Sequence, residues 1–196
     1  MDLLLATRNP HKTREFRELL GHDFEVTDLR SFPEIAIPEE TGRTFEENAA
    51  LKATAASQGR LAIADDSGLE VDALAGAPGI YSARYAGENA SDAENVEKLL
   101  RELSARREPT EERSARFRCV IALAWSERLL DTFEGVIEGN IVHPPRGTAG
   151  FGYDPVFQPT GFEQTFAEMS PDMKNKISHR AQAIAALREG LRDLVN

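Results

Sequence analysis

The sequence predicts an α/β protein with a mixed β-sheet. Its first 30 residues alternate a short apolar run, a polar loop, an amphipathic stretch and a second short apolar run, which is the pattern of a βαβ unit. Two later stretches open on capping boxes and therefore predict helices. A pair of long runs rich in β-branched and aromatic residues follows and predicts paired strands.

The composition fits one folded domain over residues 1–196, with a possible smaller lobe at about 104–145. Hydrophobic residues make up 41% of the 196 residues, which is too apolar for a disordered chain and enough for a core. The formal net charge of −10 argues against a broad nucleic-acid-binding surface, although a small basic pocket could still hold an anion.

Cysteine and histidine usage excludes two classes of site. The chain has one cysteine, Cys119, so it has no disulfide framework. The four histidines are scattered and cannot form a Cys/His zinc cluster. Without an apolar run of ~18 residues or a signal peptide, we expect a soluble cytoplasmic protein with no membrane partner.

The elements of the first half follow from apolar runs and caps. The order predicts strands, helices and loops as follows: a strand at Leu3–Ala6, a loop at Thr7–His11, a helix at Lys12–Leu20 ended by Gly21, a strand at Phe24–Thr27, an acidic loop at Pro33–Gly42, a helix from the Thr44 cap to Gln58, and a strand at Leu61–Ala64 running into Asp65-Asp66-Ser67-Gly68.

The second half is interpreted in the same way. It predicts a helix from Ser91 to about Leu103, a charged connection at Ser104–Ser114, paired strands at Ala115–Trp125 and Leu129–Val142, a long Gly/Pro loop at His143–Pro155, and a final helix capped by Ser178 with Ile184, Leu187, Leu191 and Leu194 on one stripe.

The first candidate site is the loop from Thr7 to Lys12. It joins a strand to a helix at the sheet edge where α/β proteins usually bind ligands. Backbone N–H groups at the helix start, together with Lys12, could hold a phosphate. An ordinary βα turn is the alternative, because the segment contains neither a Walker loop nor a G-x-G-x-x-G motif.

Carboxylates after the third strand form the second candidate site. Successive strand side chains point to opposite faces, so Asp65 and Asp66 should face different surroundings. A carboxylate at a strand end can hold Mg²⁺, which takes one or two protein carboxylates plus substrate phosphates. Glu40 could supply the second carboxylate. The alternatives are a simple turn at Asp65-Asp66-Ser67-Gly68 and a solvated surface charge at Glu40.

Two further segments could contact a flat base and its phosphates. The Phe151–Asp154 segment places aromatic residues between glycines, which suits a lid over a base or a glycine-rich turn with buried aromatics. The Lys174–Arg180 segment predicts basic contacts at a helix start, or a solvated helix start. Three of the five lysines in the chain, Lys12, Lys174 and Lys176, lie in these candidate segments, and a fourth, Lys52, lies on the helix after the acidic loop.

Together these residues resemble the inosine triphosphate pyrophosphatase family. The resemblance covers nearly the whole chain, in the family's order. Its segments are Ala6-Thr7-Arg8-Asn9 with Lys12, Glu40-Thr41-Gly42 with Phe45, Glu47 and Asn48, Ala64-Asp65-Asp66-Ser67-Gly68-Leu69, Gly76 to Tyr85, Phe151 to Pro155, and Ile177-Ser178-His179-Arg180. One departure is Arg8, which stands where many members have glycine.

The resemblance implies Mg²⁺-dependent hydrolysis of non-standard purine nucleoside triphosphates such as ITP, dITP and XTP to the monophosphate and pyrophosphate. It also implies an elongated mixed sheet flanked by helices, two lobes with a central cleft, and a homodimer. Asp66 matches the proton acceptor and a metal ligand, and Glu40 matches the second metal ligand. The positions that match substrate binding, or that supply positive charge for it, are Thr7, Arg8, Asn9, Pro10, His11, Lys12, Lys52, Ser67, Phe151, Gly152, Tyr153, Asp154, Lys174, His179 and Arg180.

Three other functions remain open at this stage. A nucleotide pyrophosphatase for modified pyrimidines would share the fold, although the His179-Arg180 segment speaks against it. A nucleotide sensor that does not hydrolyse its ligand would need no paired carboxylates. A hydrolase built on Ser67 and His179 lacks the G-x-S-x-G elbow.

Overall fold

The computed structural model of the chain describes residues 1–105 and 113–193 and confirms the α/β class. The helices and strands are β1 (Asp2–Leu5), α1 (Pro10–Leu20), β2 (Glu25–Asp28), α2 (Phe45–Ser57), β3 (Leu61–Val71), α3 (Asp92–Ser104), β4 (Ser114–Trp125), β5 (Arg128–Ile141), β6 (Phe157–Pro159), α4 (Pro171–Ile177) and α5 (His179–Asp193). Within the described residues, no helix combines the length and apolar character needed to cross a bilayer.

The strands form a mixed sheet in the order β2-β1-β3-β4-β5-β6. Strand β1 runs parallel to both of its neighbours, with Leu4 opposite Thr27 on β2 and Ala62 on β3. Strand β5 runs antiparallel to β6, with Ile141 opposite Phe157. The parallel β1–β2 pair joined by α1 is the βαβ unit that the sequence predicts.

The chain divides into two compact units, each built from separate stretches. Among the described residues, the first unit contains Met1–Asp66, Cys119–Gly135 and 179–193, and the second contains 67–105, 113–118 and Val136–Ser178. Strands β3, β4 and β5 each contribute residues to both units. The smaller lobe at about 104–145 stays a prediction.

The core of the first unit lies between the sheet and helices α1 and α5. Phe16 and Leu20 of α1 and Leu187 of α5 are fully buried against β1, β3 and β4 side chains in one cluster. Gly135 of β5 lets α5 approach closely, since a Cβ there would lie 2.1 Å from the carbonyl oxygen of His179. Cys119 is buried in this cluster, as expected for a structural thiol.

The core of the second unit packs α3 against aromatic side chains. Phe117, Phe157 and Phe166 contact one another, with ring centroids 4.6–6.0 Å apart. Helix α3 starts at the predicted Ser91 capping box, in which the Ser91 hydroxyl and the Glu94 carboxylate exchange hydrogen bonds with backbone N–H groups. Its inner face buries Leu99 in the same cluster.

Four sequence predictions differ from the structure. Helix α1 begins at Pro10 instead of Lys12, because Pro fits the first helical position. The Asp65–Gly68 run does not follow a strand but lies inside β3, which continues to Val71. The short elements β6 and α4 were not predicted, so Lys174 lies on α4 and not at the start of the last helix.

The remaining boundary predictions agree within a few residues. Helix α2 begins after its Thr44 cap, whose hydroxyl accepts from the Glu47 N–H. The Glu47 carboxylate, however, accepts from the Arg43 N–H, so the predicted capping box is incomplete. Two predicted features fall outside the described residues: most of the charged connection, at 106–112, and Leu194 of the final stripe.

Candidate active site

The first candidate loop is organised by Asn9. Its side-chain oxygen accepts from the N–H groups of His11 at 2.9 Å and Lys12 at 3.4 Å, and Pro10 carries no N–H. The helix-start amides that the sequence analysis offered to a phosphate are therefore capped by Asn9 in this structure. The ammonium of Lys12 is a second group of this segment that could contact a phosphate.

Arg8 contacts protein carbonyl groups. Its guanidinium donates to the carbonyl oxygen of Ile35 at 3.1 Å, within the loop that precedes Glu40. In this arrangement Arg8 stabilises that loop, and its predicted contact with substrate stays a prediction.

Asp65 is the centre of a buried ion-pair network in the first unit. Lys12 Nζ lies 3.0 Å from one carboxylate oxygen and Arg180 Nη2 lies 3.1 Å from the other. Arg180 Nη1 lies 2.6 Å from a carboxylate oxygen of Glu15 on α1. The side chains of Asp65 and Arg180 are 1% and 3% exposed, so the central pair of this network is shielded from water.

The network decides the charge of its members. Burial by itself would raise the pKa of Asp65, but the charges of Lys12 and Arg180 outweigh it and hold the pKa well below the ordinary carboxylate value. Burial would likewise lower the pKa of Arg180, yet Asp65 and Glu15 raise it. Both groups are therefore charged at neutral pH.

Asp66 has different partners, as strand alternation predicts. Asn48 Nδ2 donates to its Oδ2 at 3.2 Å, and Lys52 Nζ donates to its Oδ1 at 3.2 Å. Lys52 Nζ also donates to Glu40 Oε1 at 2.8 Å, so one ammonium joins two carboxylates from different segments. Asn48 and Lys52 lie one turn apart on α2, which brings both to the same face of the helix.

The electrostatics of this second cluster differ from those of Asp65. Burial raises the pKa of Asp66 above its ordinary value, and the nearby Glu40 charge adds to the effect, although Lys52 and Asn48 oppose it. Burial would lower the pKa of Lys52, but Asp66, Asp65 and Glu40 together raise it. The two neighbouring aspartates thus differ: the pKa of Asp65 is low, and the pKa of Asp66 is raised, so Asp66 binds a proton more readily.

A close contact fixes the loop that carries Glu40. The Asn48 side-chain oxygen accepts from the Gly42 N–H at 2.8 Å. A Cβ on Gly42 would lie 2.6 Å from that oxygen and 2.8 Å from the Glu47 Cβ, so only glycine allows this approach. Asn48 therefore connects the acidic loop to Asp66 through its two side-chain ends.

The residues present fit a magnesium ion only in partnership with a substrate. Glu40 and Asp66 offer carboxylate oxygens on either side of the Lys52 ammonium. Carboxylate oxygen is the ligand type that Mg²⁺ prefers. Across the described ranges, no group of three His, Cys, Asp or Glu side chains could hold a metal by itself. A pair of carboxylates completed by substrate phosphates and water matches the usual Mg²⁺ site in phosphoryl-transfer enzymes.

The second unit holds its own cluster of predicted site residues. Lys174 Nζ lies 2.7 Å from Asp154 Oδ2 and 5.0 Å from the Phe151 ring centroid. The same carboxylate oxygen accepts from the Phe151 N–H at 2.9 Å. Gly150 has φ +77°, and a Cβ there would lie 2.0 Å from that oxygen, so glycine is required on both counts.

Tyr153 differs from its neighbours in this loop. Its ring is 4% exposed in the core of the second unit, and its hydroxyl donates to the Ser82 carbonyl oxygen at 2.9 Å. The ring is therefore not available to stack on a base, which leaves Phe151 as the stacking candidate. The Gly152 N–H donates to an Asp92 carboxylate oxygen at 2.7 Å.

The structure distributes the predicted residues between the two units. The first unit contains Thr7, Arg8, Asn9, Pro10, His11, Lys12, Glu40, Lys52, Asp66, His179 and Arg180, and the second contains Ser67, Phe151, Gly152, Tyr153, Asp154 and Lys174. His179 and Arg180 are 5% and 2% exposed, so the alternative of a solvated helix start is wrong.

The predicted catalytic, substrate-binding and metal-binding positions do not include Asp65, Asn48 and Glu15, which the structure pairs with them. Asp65 could have been chosen by strand alternation, since it faces away from Asp66. Asn48 could have been chosen by its spacing of four residues from Lys52. Nothing in the sequence joins Glu15 to Arg180, because the two residues are 165 positions apart.

Comparison with known proteins gives a consistent family. The sequence profile of the Ham1 family matches residues 3–190. A dITP/XTP pyrophosphatase of Bacillus licheniformis is 51% identical over 192 residues, covering 95% of each chain. One from Geobacillus kaustophilus is 49% identical, covering 99% of this chain and 96% of the relative. The solved structure of a HAM1 protein from Coxiella burnetii superposes with a TM-score of 0.89 at 44% identity, covering 98% of this chain and 99% of that one.

Proposed function

The chain belongs to the Ham1 family, and on that premise we propose that it is a nucleoside triphosphate pyrophosphatase that acts on non-standard purines. The substrates are dITP and XTP, which the names of its relatives specify, together with ITP. The products are the nucleoside monophosphate and pyrophosphate, which removes the non-standard base from the nucleotide pool.

The observation that carries this proposal is the position of one lysine between two carboxylates. Lys52 Nζ lies 2.8 Å from Glu40 and 3.2 Å from Asp66, in a cluster that is mostly buried. Such a cluster provides a cation for phosphates and acids for a divalent ion within a few ångströms. A protein that only bound nucleotides would gain little from burying two acids here.

We propose that Glu40 and Asp66 hold Mg²⁺ together with the substrate phosphates. When bound, the ion would neutralise charge on the transferring phosphate and make a nearby water more acidic. The donor set supports this assignment, since both groups are carboxylates, the oxygen ligands that suit Mg²⁺.

Four side chains of the first unit have separate roles in the proposed reaction. Lys12 and Lys52 attract the triphosphate, each as a compact ammonium charge. Asp66 accepts the proton of the attacking water, and its raised pKa suits a base better than the low pKa of Asp65 does. Asp65 instead holds Lys12 and Arg180 in position.

Base selection follows from hydrogen-bond chemistry. Hypoxanthine and xanthine carry an oxygen at position 6, where adenine carries an amino donor. A hydrogen-bond donor of the protein at that position can bond to the oxygen of a 6-oxo base. The same donor would face the amino donor of adenine, and such a mismatch lowers kcat/KM by several powers of ten. We propose that Phe151 stacks on the base and that Lys174 and Asp154 hold Phe151 in place.

A substrate panel tests the proposal. The protein is incubated with Mg²⁺ and either ITP, dITP, XTP, the four standard nucleotides or methylated pyrimidine nucleotides, and pyrophosphate and orthophosphate are measured separately. We expect pyrophosphate from the three non-standard purines. Release of orthophosphate alone contradicts the proposed reaction, and a preference for methylated pyrimidines contradicts the proposed substrate. The homodimer and the cytoplasmic location stay predictions.

A further inference from the structure

Lys52 takes the oxygen atoms that a metal ion would need. Its ammonium donates to Glu40 Oε1 at 2.8 Å and to Asp66 Oδ1 at 3.2 Å. Its side chain is 9% exposed, and that of Asp66 is 10% exposed, so water screens the contact poorly. The ammonium therefore offsets one of the two negative charges from inside the protein and contacts an oxygen of each acid.

The other oxygen of Asp66 is held independently. Asn48 Nδ2 donates to Oδ2 at 3.2 Å, and the Asn48 oxygen is itself held by the Gly42 N–H at 2.8 Å. Asn48 is fully buried on α2. Asp66 thus has a fixed contact through Oδ2, and Lys52 can leave Oδ1 without freeing the whole carboxylate.

An ammonium and a divalent ion exclude each other at this position. Mg²⁺ binds carboxylate oxygens at about 2.0–2.1 Å, closer than the lysine contacts, and its charge repels a neighbouring ammonium. A triphosphate brings several negative oxygens, to which the three N–H donors of a lysine can turn. The nucleotide therefore supplies a new partner for Lys52 at the moment when the carboxylates are needed.

Resting on the proposed function, we propose that Lys52 is a built-in competitor of the divalent ion, which occupies the carboxylates of Glu40 and Asp66 until a nucleotide draws it away. The nucleotide-free protein then binds the metal weakly, and the metal enters together with the nucleotide. Lys52 then has two roles: it keeps the metal off the carboxylates until the nucleotide binds, and it attracts the phosphates.

Metal binding without nucleotide tests this competition directly. Mn²⁺ is titrated into the nucleotide-free protein, and free Mn²⁺ is followed by electron paramagnetic resonance at a pH well above the carboxylate range. We expect Lys52→Met to bind Mn²⁺ at least about tenfold more tightly than the wild type, because the competing charge is gone. Lys98→Met is the matched control, since Lys98 contacts Tyr85 and Glu102 of the second unit, and it should leave Mn²⁺ affinity unchanged.

A measurement on the wild-type protein covers the case in which Lys52→Met does not fold. The ammonium signal of Lys52 is followed by NMR and assigned by its loss in Lys52→Arg, which keeps the charge. Mg²⁺ alone should leave the signal in place, and Mg²⁺ with a dITP analogue whose α–β bridge cannot be hydrolysed should shift it.

The outcomes separate the two proposals. If Mn²⁺ binds equally well to the wild type and Lys52→Met, or if Mg²⁺ alone shifts the Lys52 signal, the competition does not exist. If the analogue does not bind the wild type in the presence of Mg²⁺, the proposed function itself is wrong.

Discussion

Replacing Asp65 by asparagine should destabilise the protein strongly, although the side chain keeps its shape. Asp65 is 1% exposed and pairs with Lys12 at 3.0 Å and Arg180 at 3.1 Å. The substitution removes the carboxylate that faces Nη2 of the buried Arg180, while the ion pair of Arg180 with Glu15 stays. Removing one partner of a buried ion pair costs about 3–5 kcal/mol of unfolding free energy, or a fall in Tm of about 6–20 °C for a chain of this size.

Urea unfolding monitored by circular dichroism measures this loss, with Glu138→Gln as the control. Glu138 also pairs with an arginine, Arg116, but its side chain is 58% exposed. An exposed pair of this kind contributes about 0–1 kcal/mol. The reasoning is refuted if Asp65→Asn lowers the free energy of unfolding by no more than Glu138→Gln does.

The pH dependence gives an independent check on the same residue. The low pKa of folded Asp65, set by Lys12 and Arg180 against the effect of burial, means that its contribution is complete above the ordinary carboxylate pKa. The contribution is lost as the pH falls through the lower folded value. The stability gap between wild type and Asp65→Asn should therefore be constant near neutrality and shrink below about pH 4. A gap that widens in acid contradicts the assignment.

Three further outcomes are expected for activity on dITP. Gly42→Ala places a Cβ 2.6 Å from Asn48 Oδ1 and should displace the acidic loop, lowering kcat/KM by about 10²-fold; an unchanged kcat/KM contradicts the role of the close contact. Glu40→Gln removes a proposed metal ligand and should raise the Mg²⁺ concentration needed for half-maximal activity about tenfold, while an equal Mg²⁺ requirement excludes Glu40 as a ligand. Because burial and Glu40 raise the pKa of Asp66 in the metal-free protein, kcat/KM, which reports the ionisations of the free enzyme, should fall with decreasing pH along a limb that lies above the ordinary carboxylate value of about 4. A kcat/KM that is flat across that range contradicts the role of Asp66 as the base.

Local signals were enough to predict most elements. Apolar periodicity and caps placed α2 and α3 within a residue or two, because a Thr or Ser hydroxyl at the N-cap has a definite backbone N–H to satisfy. Helix α4 has seven residues, which is too short for a periodic pattern to appear. Its Ser170 cap and Pro171 were the available signals.

The strand through Asp65 and Asp66 shows why polar runs mislead. In isolation, Asp-Asp-Ser-Gly favours a turn, because each residue is a turn former. In the protein each carboxylate has a cationic partner, Lys12 and Arg180 for one and Lys52 for the other. These partners come from other segments of the chain, so the apolar residues from Leu69 onward could indicate an extended stretch, but the local pattern could not show that β3 runs unbroken through the two aspartates.

The candidate site was predictable in its residue types and less so in its pairings. Strand alternation separates the surroundings of Asp65 from those of Asp66, and the four-residue spacing on α2 puts Asn48 and Lys52 on one face. The contact of Lys52 with Asp66 is known from the structure. The exposure of a side chain is a property of the packed fold, however. The sequence could not show that Tyr153 is buried in a core while Phe151 is not, since both are aromatic residues in one glycine-containing loop.

The most direct measurement compares turnover and binding in wild type and Asp66→Asn. Pyrophosphate release from dITP gives turnover, and calorimetry with the non-hydrolysable analogue gives affinity. Asparagine keeps the size of the side chain but cannot accept the proton of water. We expect turnover to fall by about 10²–10⁴-fold, as for loss of a general base, while affinity for the analogue, measured at a Mg²⁺ concentration that saturates the variant, changes only a few-fold. Wild-type rates of pyrophosphate release from Asp66→Asn would contradict the account.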